Sequence, residues 1–308
     1  QEKETGHFEP GEGYILKGPG AVHNYTFVGT PNDGNISTTV NAGYSSLLGN
    51  PYPSALDANA FFADNSGKID AIYFWQHNGD SGNHNLAGYQ GGYGVRNSTT
   101  AITATTPTGI NGTGGSITDP GQYIPVGQGF FLEASDIGGI INFNNSQRVY
   151  QAINGSTSVF FRPKANYRKA NEPIPVLKFG FEYKNADDLN LHRQVAISFK
   201  EGNTFRKENG YDTEPFDIDE TDVYFKFNDN RNVFAIAGIQ EITNDLEFPI
   251  TIKIGKTQDI KLMIDDKQHI ERDVYLTDKV TNQVYDLANP ITLSLPAGEY
   301  IDRVYISF

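Results

Sequence analysis

Apolar and polar positions alternate with period two through most of the C-terminal half of the chain. Val176–Tyr183, Arg193–Phe199, Val223–Phe227, Asn232–Ala237, Phe248–Ile254, Asp259–Ile264, Val274–Asp278, Val284–Asp286, Ile291–Leu295 and Tyr300–Phe308 are short runs of this kind, separated by Asn, Asp or Gly clusters. Period two puts every second side chain on one face of a strand, so the pattern predicts half-buried strands joined by turns, the signature of a sandwich or jelly roll. The N-terminal half differs. Its one strongly apolar run, Ile69–Trp75, is apolar on both alternations from Ala71 onward, as expected of a central strand covered on both faces. Just ahead of it, Leu47–Asp57 contains Pro51 and Pro53, which fix their own φ and push Asn50 and Tyr52 towards extended backbone. That corner reads as the hinge of the first domain. Ser54 followed by Asp57 predicts a capping-box start and a short helix over roughly 55–63, with Leu56, Ala60 and Phe61 on one side. The fold class expected is all-β: two β-sandwich, jelly-roll-like domains, with one short helix in the first.

Charge and glycine divide the chain in the same place. Residues 1–160 hold 5 Lys/Arg and 12 Asp/Glu against 19 and 25 in the remainder, and 26 of the 32 glycines lie in that first part. The segment 162–173 is rich in Pro, Lys and Arg. The expected boundaries are therefore a first domain at 1–161, a linker at 162–173 and a second domain at 174–308. Within the first, Gly11-Glu12-Gly13-Tyr14 is echoed by Gly127-Gln128-Gly129-Phe130, which suggests a duplicated hairpin. Phe (20) and Tyr (17) supply most of the large apolar area, consistent with strands. A net charge of −13 repels a phosphate backbone and no basic run offsets it, so nucleic acid is not expected as a partner. No window has the apolar length of a membrane span, so no membrane insertion is expected. With no cysteine there is neither a disulfide nor a thiolate site. Gln1–Thr5 has no signal-peptide character.

Several candidate sites follow. Trp75, Tyr89 and Tyr93 flank a Gly- and Asn-rich stretch within the long 76–122 region. Aromatic rings beside polar side chains are how proteins hold sugars, through C–H faces on rings and hydroxyls on amides and carboxylates. The competing reading places Trp75 in the core with the tyrosines packed over it. Asp217, Asp219, Glu220 and Asp222 cluster before a strand and would offer hard oxygen ligands to calcium, although the loop lacks the EF-hand glycine and terminal Glu and also reads as a solvated acidic turn. His77, Asp80, Asn83 and His84 fall in one loop but lack the spacing of a metal site. Ser45 and Ser46 after Gly43 do not form a nucleophile elbow. No nucleophile, base and acid can be named together, so no catalytic residue is assigned and calcium is the one cofactor weighed; a glycan-binding adhesin using the 76–122 loops and a part of a polysaccharide-degrading enzyme stand as the alternative readings.

Three phrases, Leu48-Gly49-Asn50-Pro51-Tyr52-Pro53-Ser54-Ala55, Tyr123–Phe131 and Phe143-Asn144-Asn145-Ser146-Gln147-Arg148-Val149, resemble a module of large flavobacterial and other Bacteroidetes surface proteins. That module precedes the C-terminal sorting domain of type 9 secretion cargo. Leu191–Val195 and Gly210-Tyr211-Asp212 stand in the order the resemblance requires. The resemblance implies export to the cell surface or medium. It also implies the type 9 machinery or outer-membrane surface components as partners, and a role as stalk, spacer or adhesion module, with polysaccharide as a ligand class. It implies no catalytic residue. Members carry further strands before the first Gly-x-Gly phrase and continue into a sorting domain, so the chain is expected to be a fragment of a larger cargo.

Overall fold

The structure, a computed structural model, describes residues 8–16, 23–24, 26, 28–77, 91–108, 119–150, 173–227 and 232–308. The expected linker falls outside these residues except for Pro173, as do Tyr89 and the proposed histidine loop apart from the backbone of His77.

The N-terminal half contains β1 (Ile36–Val40), β2 (Ser45–Gly49), β3 (Ala55–Asp57), α1 (Ala58–Asp64), β4 (Ile69–His77), β5 (Gly91–Arg96), β6 (Ala101–Ile102), β7 (Thr106–Pro107), β8 (Tyr123–Ile124), β9 (Gly129–Ala134), β10 (Gly139–Phe143) and β11 (Arg148–Val149). Its main sheet has the order β2-β9-β4-β5-β6, beside the small sheets β1-β10 and β11-β3-β8. The apolar run becomes the central strand β4, and every residue from Ile69 to Phe74 is buried. Its two faces serve different cores. Ile72 and Phe74 pack with α1 and β9 in the core of this half, whereas Ala71 and Tyr73 belong to a cluster shared with Ala196, Ala235 and Ile236.

The C-terminal half is a sandwich, as the alternation requires. Its strands are β12 (Val176–Lys184), β13 (Asn190–Phe199), β14 (Asp222–Tyr224), β15 (Ile236–Ile239), β16 (Glu247–Ile254), β17 (Gln258–Gln268), β18 (Tyr275–Asp278), β19 (Gln283–Asp286), β20 (Ile291–Leu295) and β21 (Gly298–Ser307). One sheet runs β15-β13-β12-β17-β20 and the other β14-β16-β21-β18-β19. Leu177, Phe179 and Phe181 from the first face Phe248, Ile250 and Ile252 from the second in one core. On β20 the buried Ile291, Leu293 and Leu295 alternate with exposed Thr292 and Ser294, so the polar positions need no partner inside.

The three phrases that carry the family resemblance meet at the proline corner. Asn50 Nδ2 donates to the carbonyls of Ser54 (2.9 Å), Ile124 (3.2 Å) and Pro125 (3.0 Å), and its Oδ1 accepts from Tyr52 N. Arg148 donates to Ser54 Oγ at 3.0 Å and lies over the Tyr52 ring. Leu56 pairs with Arg148 on one side and Ile124 on the other. This two-sided pairing keeps the chain extended to Asp57, and the helix begins later than expected. Asp57 itself is the N-cap, accepting from Asn59 N and Ala60 N at 2.9 and 3.4 Å, and Ser54 takes no part in a capping box. The helix buries Ala58, Phe61 and Phe62, with Phe61 stacked on Phe143 at 5.0 Å.

The two Gly-x-Gly phrases flank a single strand. Gly129 pairs with Gly49 in β2, and on the opposite edge Glu12 bridges Leu48 while Gly13 N donates to Leu47 O. A Cβ on Gly13 would stand 2.5 Å from Leu48 O, so the close approach requires glycine. Only the second phrase starts a strand.

Candidate functional site

The halves meet along one face of β4, β5 and β6, and the contact is made in both directions. From the N-terminal half, β7 adds antiparallel to β13, with Thr106 opposite His192 and Pro107 opposite Leu191. From the C-terminal half, the segment between Lys207 and Asp219 crosses the face of β4 and β5. Asn97 Nδ2 donates to Tyr211 O at 2.7 Å and to Thr213 Oγ1 at 3.2 Å. Gly210 N donates to Asp70 Oδ1, and Lys207 Nζ lies 3.2 Å from Asp70 Oδ2. Lys178, buried on β12, pairs with Asp119 of the N-terminal half.

The ring cluster lies on this face. Trp75 and Tyr93 are cross-strand partners, with ring centroids 5.1 Å apart and edge to face. Tyr93 lies against Phe216 at 4.0 Å, and Phe216 reaches Tyr73 at 5.4 Å and Phe131 at 6.0 Å. Trp75 is 41 % and Phe216 42 % exposed, so the rings run from the buried Tyr73 outward to the surface. A Cβ on Gly91 would fall 2.5 Å from the Trp75 ring; glycine there lets the indole lie flat across β5. Trp75 and Tyr93, which flank one Gly- and Asn-rich stretch of the sequence, lie side by side here. The sequence reading misses Phe216 and Phe131, the first because a lone aromatic inside Glu214-Pro215-Phe216-Asp217 looks like part of a solvated acidic turn.

Beside the rings is a cavity of about 160 Å³ lined by Tyr73, Tyr93, Thr103, Thr105, Arg193, Phe216, Asp217 and Asp219, among others. Arg193 donates from Nη1 to Thr105 Oγ1 at 3.0 Å and places Nε 3.2 Å from Asp222 Oδ1. Arg193 Nη2 and Thr103 Oγ1 are buried and make no hydrogen bond.

The acidic cluster is not assembled as a calcium site. Asp222 is buried at the start of β14, its carboxylate turned to Arg193 and accepting from Val223 N and Asp219 N. Asp217 and Asp219 are exposed on the crossing segment, and Asp219 accepts from the Tyr183 hydroxyl. Among the described residues no three His, Asp or Glu side chains are placed to hold a metal ion. The strand start is the reason: it buries Asp222 against Arg193, while Asp217 and Asp219 stay exposed.

Three carboxylates at the contact are protonated more readily than usual. Burial lifts Glu133 to about 7, with the Tyr73 hydrogen bond acting the other way. Burial likewise lifts Asp212 to about 7 against amide bonds from Gly238 and Glu208, and it raises Asp70 despite Lys207. Tyr73 Oη lies 2.5 Å from Glu133 Oε2 and 2.8 Å from Glu214 O. The Tyr73 hydroxyl donates to these two acceptors while Glu133 is ionised; once Glu133 takes up a proton it can donate to Tyr73 and leave the hydroxyl proton to Glu214 O.

A second acidic group surrounds His192, whose Nε2 is 2.8 Å from Asp265 and Nδ1 3.7 Å from Glu182. Burial lowers its proton affinity, but the two carboxylates outweigh burial and raise it. Both ring nitrogens thus face carboxylates, and neither is turned to a hydroxyl nucleophile.

Residues 1–308 match the model of the family described as domain of unknown function DUF8693. The chain belongs to that family. Comparison with curated proteins and with solved structures returned no match. The match covers both halves together, and so includes the contact between them. Among the described residues no helix is long and apolar enough to cross a membrane.

Proposed function

We propose that this chain is a non-catalytic spacer of an exported bacterial surface protein, a type 9 secretion cargo, in which two sandwiches are joined as one stiff unit. The observation that carries this reading is the reciprocal contact: β7 of the first half completes a sheet of the second, and the 207–219 segment of the second covers the sheet of the first. A stalk must transmit position, and each half here holds a backbone segment of the other. Resemblance of the three phrases at the proline corner to the module ahead of sorting domains supports the exported setting. The positioning of His192 between two carboxylates supports a structural rather than a catalytic role.

The absence of cysteine makes the test direct. Tyr44→Cys and Val284→Cys, at exposed positions in the two halves, accept a donor and an acceptor dye. Single-molecule energy transfer is expected to give one narrow distribution. A broad or multiply peaked distribution in the folded chain would remove the spacer reading. Protease shaving of intact cells that produce the full-length parent tests the exported setting, with loss of the protein expected.

A further inference from the structure

We propose that the cavity between the two halves binds one neutral sugar ring, packed on the side of the Tyr93–Phe216 ring pair and hydrogen-bonded to the Arg193 guanidinium. Three independent features of the cavity converge on that ligand. Its wall includes three aromatic rings: Tyr73, Tyr93 and Phe216 line it, and Phe216 is 42 % exposed. The C–H face of a pyranose packs on such rings as other apolar surfaces do.

The second feature is a set of unspent hydrogen-bonding groups. Arg193 and Thr103 line the cavity, and Arg193 Nη2 and Thr103 Oγ1 are buried just behind its surface with no hydrogen-bond partner. A buried donor without an acceptor is costly, and most buried polar atoms in folded proteins are satisfied. Hydroxyls of a bound sugar would accept from Nη2 and exchange a bond with the Thr103 hydroxyl. Asp217 and Asp219 on the same wall accept from further hydroxyls. Donors and acceptors around one small space match a polyol, whose every hydroxyl is both.

Charge and size define the class. Arg193 already faces Asp222 at 3.2 Å, and Asp217 and Asp219 add two carboxylates to the same wall, so a uronate or other acidic sugar would meet net negative charge. At about 160 Å³ the space is well below the ~300–1,000 Å³ of sites for drug-sized ligands. It accommodates a single ring, such as the terminal residue of a glycan, and not an extended chain. This site differs from the one the sequence suggested, since Trp75 does not line it and the second ring comes from Phe216, across the contact.

Saturation-transfer difference NMR on the whole chain tests this with methyl glycosides of glucose, galactose and mannose, and with glucuronate as the acidic comparison, each at millimolar concentration. At least one neutral glycoside is expected to receive saturation through its ring protons, and glucuronate is not. Phe216→Ala, at an exposed position, is expected to weaken binding about tenfold. Thr103→Val, which keeps the side-chain shape, is expected to weaken it several-fold with an unchanged melting temperature. If Phe216→Ala does not fold, Thr103→Val carries the test alone. No transfer to any neutral glycoside in the folded protein, stronger binding of glucuronate, or unchanged affinity in the folded variants would each overturn the proposal.

Discussion

The two halves solve the same problem, closing a β-structure around a core, by different means. In the C-terminal half β12, β13, β16, β17 and β21 are long strands and the core is assembled from alternating Phe, Ile and Leu, with Phe179, Phe225 and Phe248 all buried. In the N-terminal half several strands are only two or three residues long, and much of the cohesion comes from side chains bonded to backbone. Asn50 closes the corner, Asn65 ties Phe61 O to Asn142, Gln147 bridges Asp64 and Asn142 O, and Tyr52 Oη reaches Gly34 O at 2.6 Å. Short strands cannot bury enough alternating apolar surface by themselves, so fixed polar contacts take over the work of register. The lesson is that the low charge and high glycine content of the first half do not mean looseness; they accompany a region held by specific amides.

That contrast can be tested by single changes. The largest effect is expected where apolar packing dominates: Phe248→Ala should cost about 3–5 kcal/mol in urea unfolding. Removing the partner of a buried charge comes next. Asp119→Ala leaves the Lys178 ammonium buried without its carboxylate and should cost about 3 kcal/mol, measured in the same way. Asn50→Ala removes the amide that bonds the Ser54, Ile124 and Pro125 carbonyls at the corner and should cost about 2–3 kcal/mol, whereas an exposed asparagine would cost almost nothing. Asp57→Ala removes the helix cap, for about 1 kcal/mol.

A pH series sharpens the picture of the contact itself. Glu133 and Asp212 are lifted to about 7 in the folded chain from ordinary values of 4.5 and 3.8. Between those values and 7 the folded state holds more protons than the unfolded one, so stability is greatest at the acidic end and is lost as pH rises through 7. Asp278, held at about 2 chiefly by its Arg303 hydrogen bond, acts oppositely but only at much lower pH. The melting temperature should therefore fall by a few degrees from pH 5 to pH 8. Glu133→Gln, which can still donate to Tyr73, should flatten the slope.

Much of the fold is legible in the sequence because strand periodicity survives wherever one face is buried and the other wet. The β20 pattern and the doubly apolar β4 are examples, and both appear where the pattern places them. The helix start is not legible, because Ser54 and Asp57 look like a capping box until β8 and β11 pair with the residues between them. The candidate site is half legible. Trp75 and Tyr93 are partners on the paired strands β4 and β5, whereas Phe216 and Arg193 arrive from across the chain, and no local pattern announces them. Asp222 shows the converse: an acid that looks like one ligand among several becomes a buried partner of Arg193 once its strand is placed.

The central claim is that the halves behave as one unit, and Trp75 reports on it directly, being the only tryptophan and lying in the N-terminal half beside the contact. Sequence reading alone expects Pro51→Ala to destabilise the first domain and leave the second unchanged; the reciprocal contact predicts coupling instead. The measurement is the urea midpoint of Trp75 fluorescence in Phe248→Ala, a change in the C-terminal core, compared with the midpoint seen by far-ultraviolet circular dichroism. Coupled halves require both midpoints to fall together by the same amount. A Trp75 midpoint that stays at its wild-type value while the dichroism midpoint falls would contradict the account.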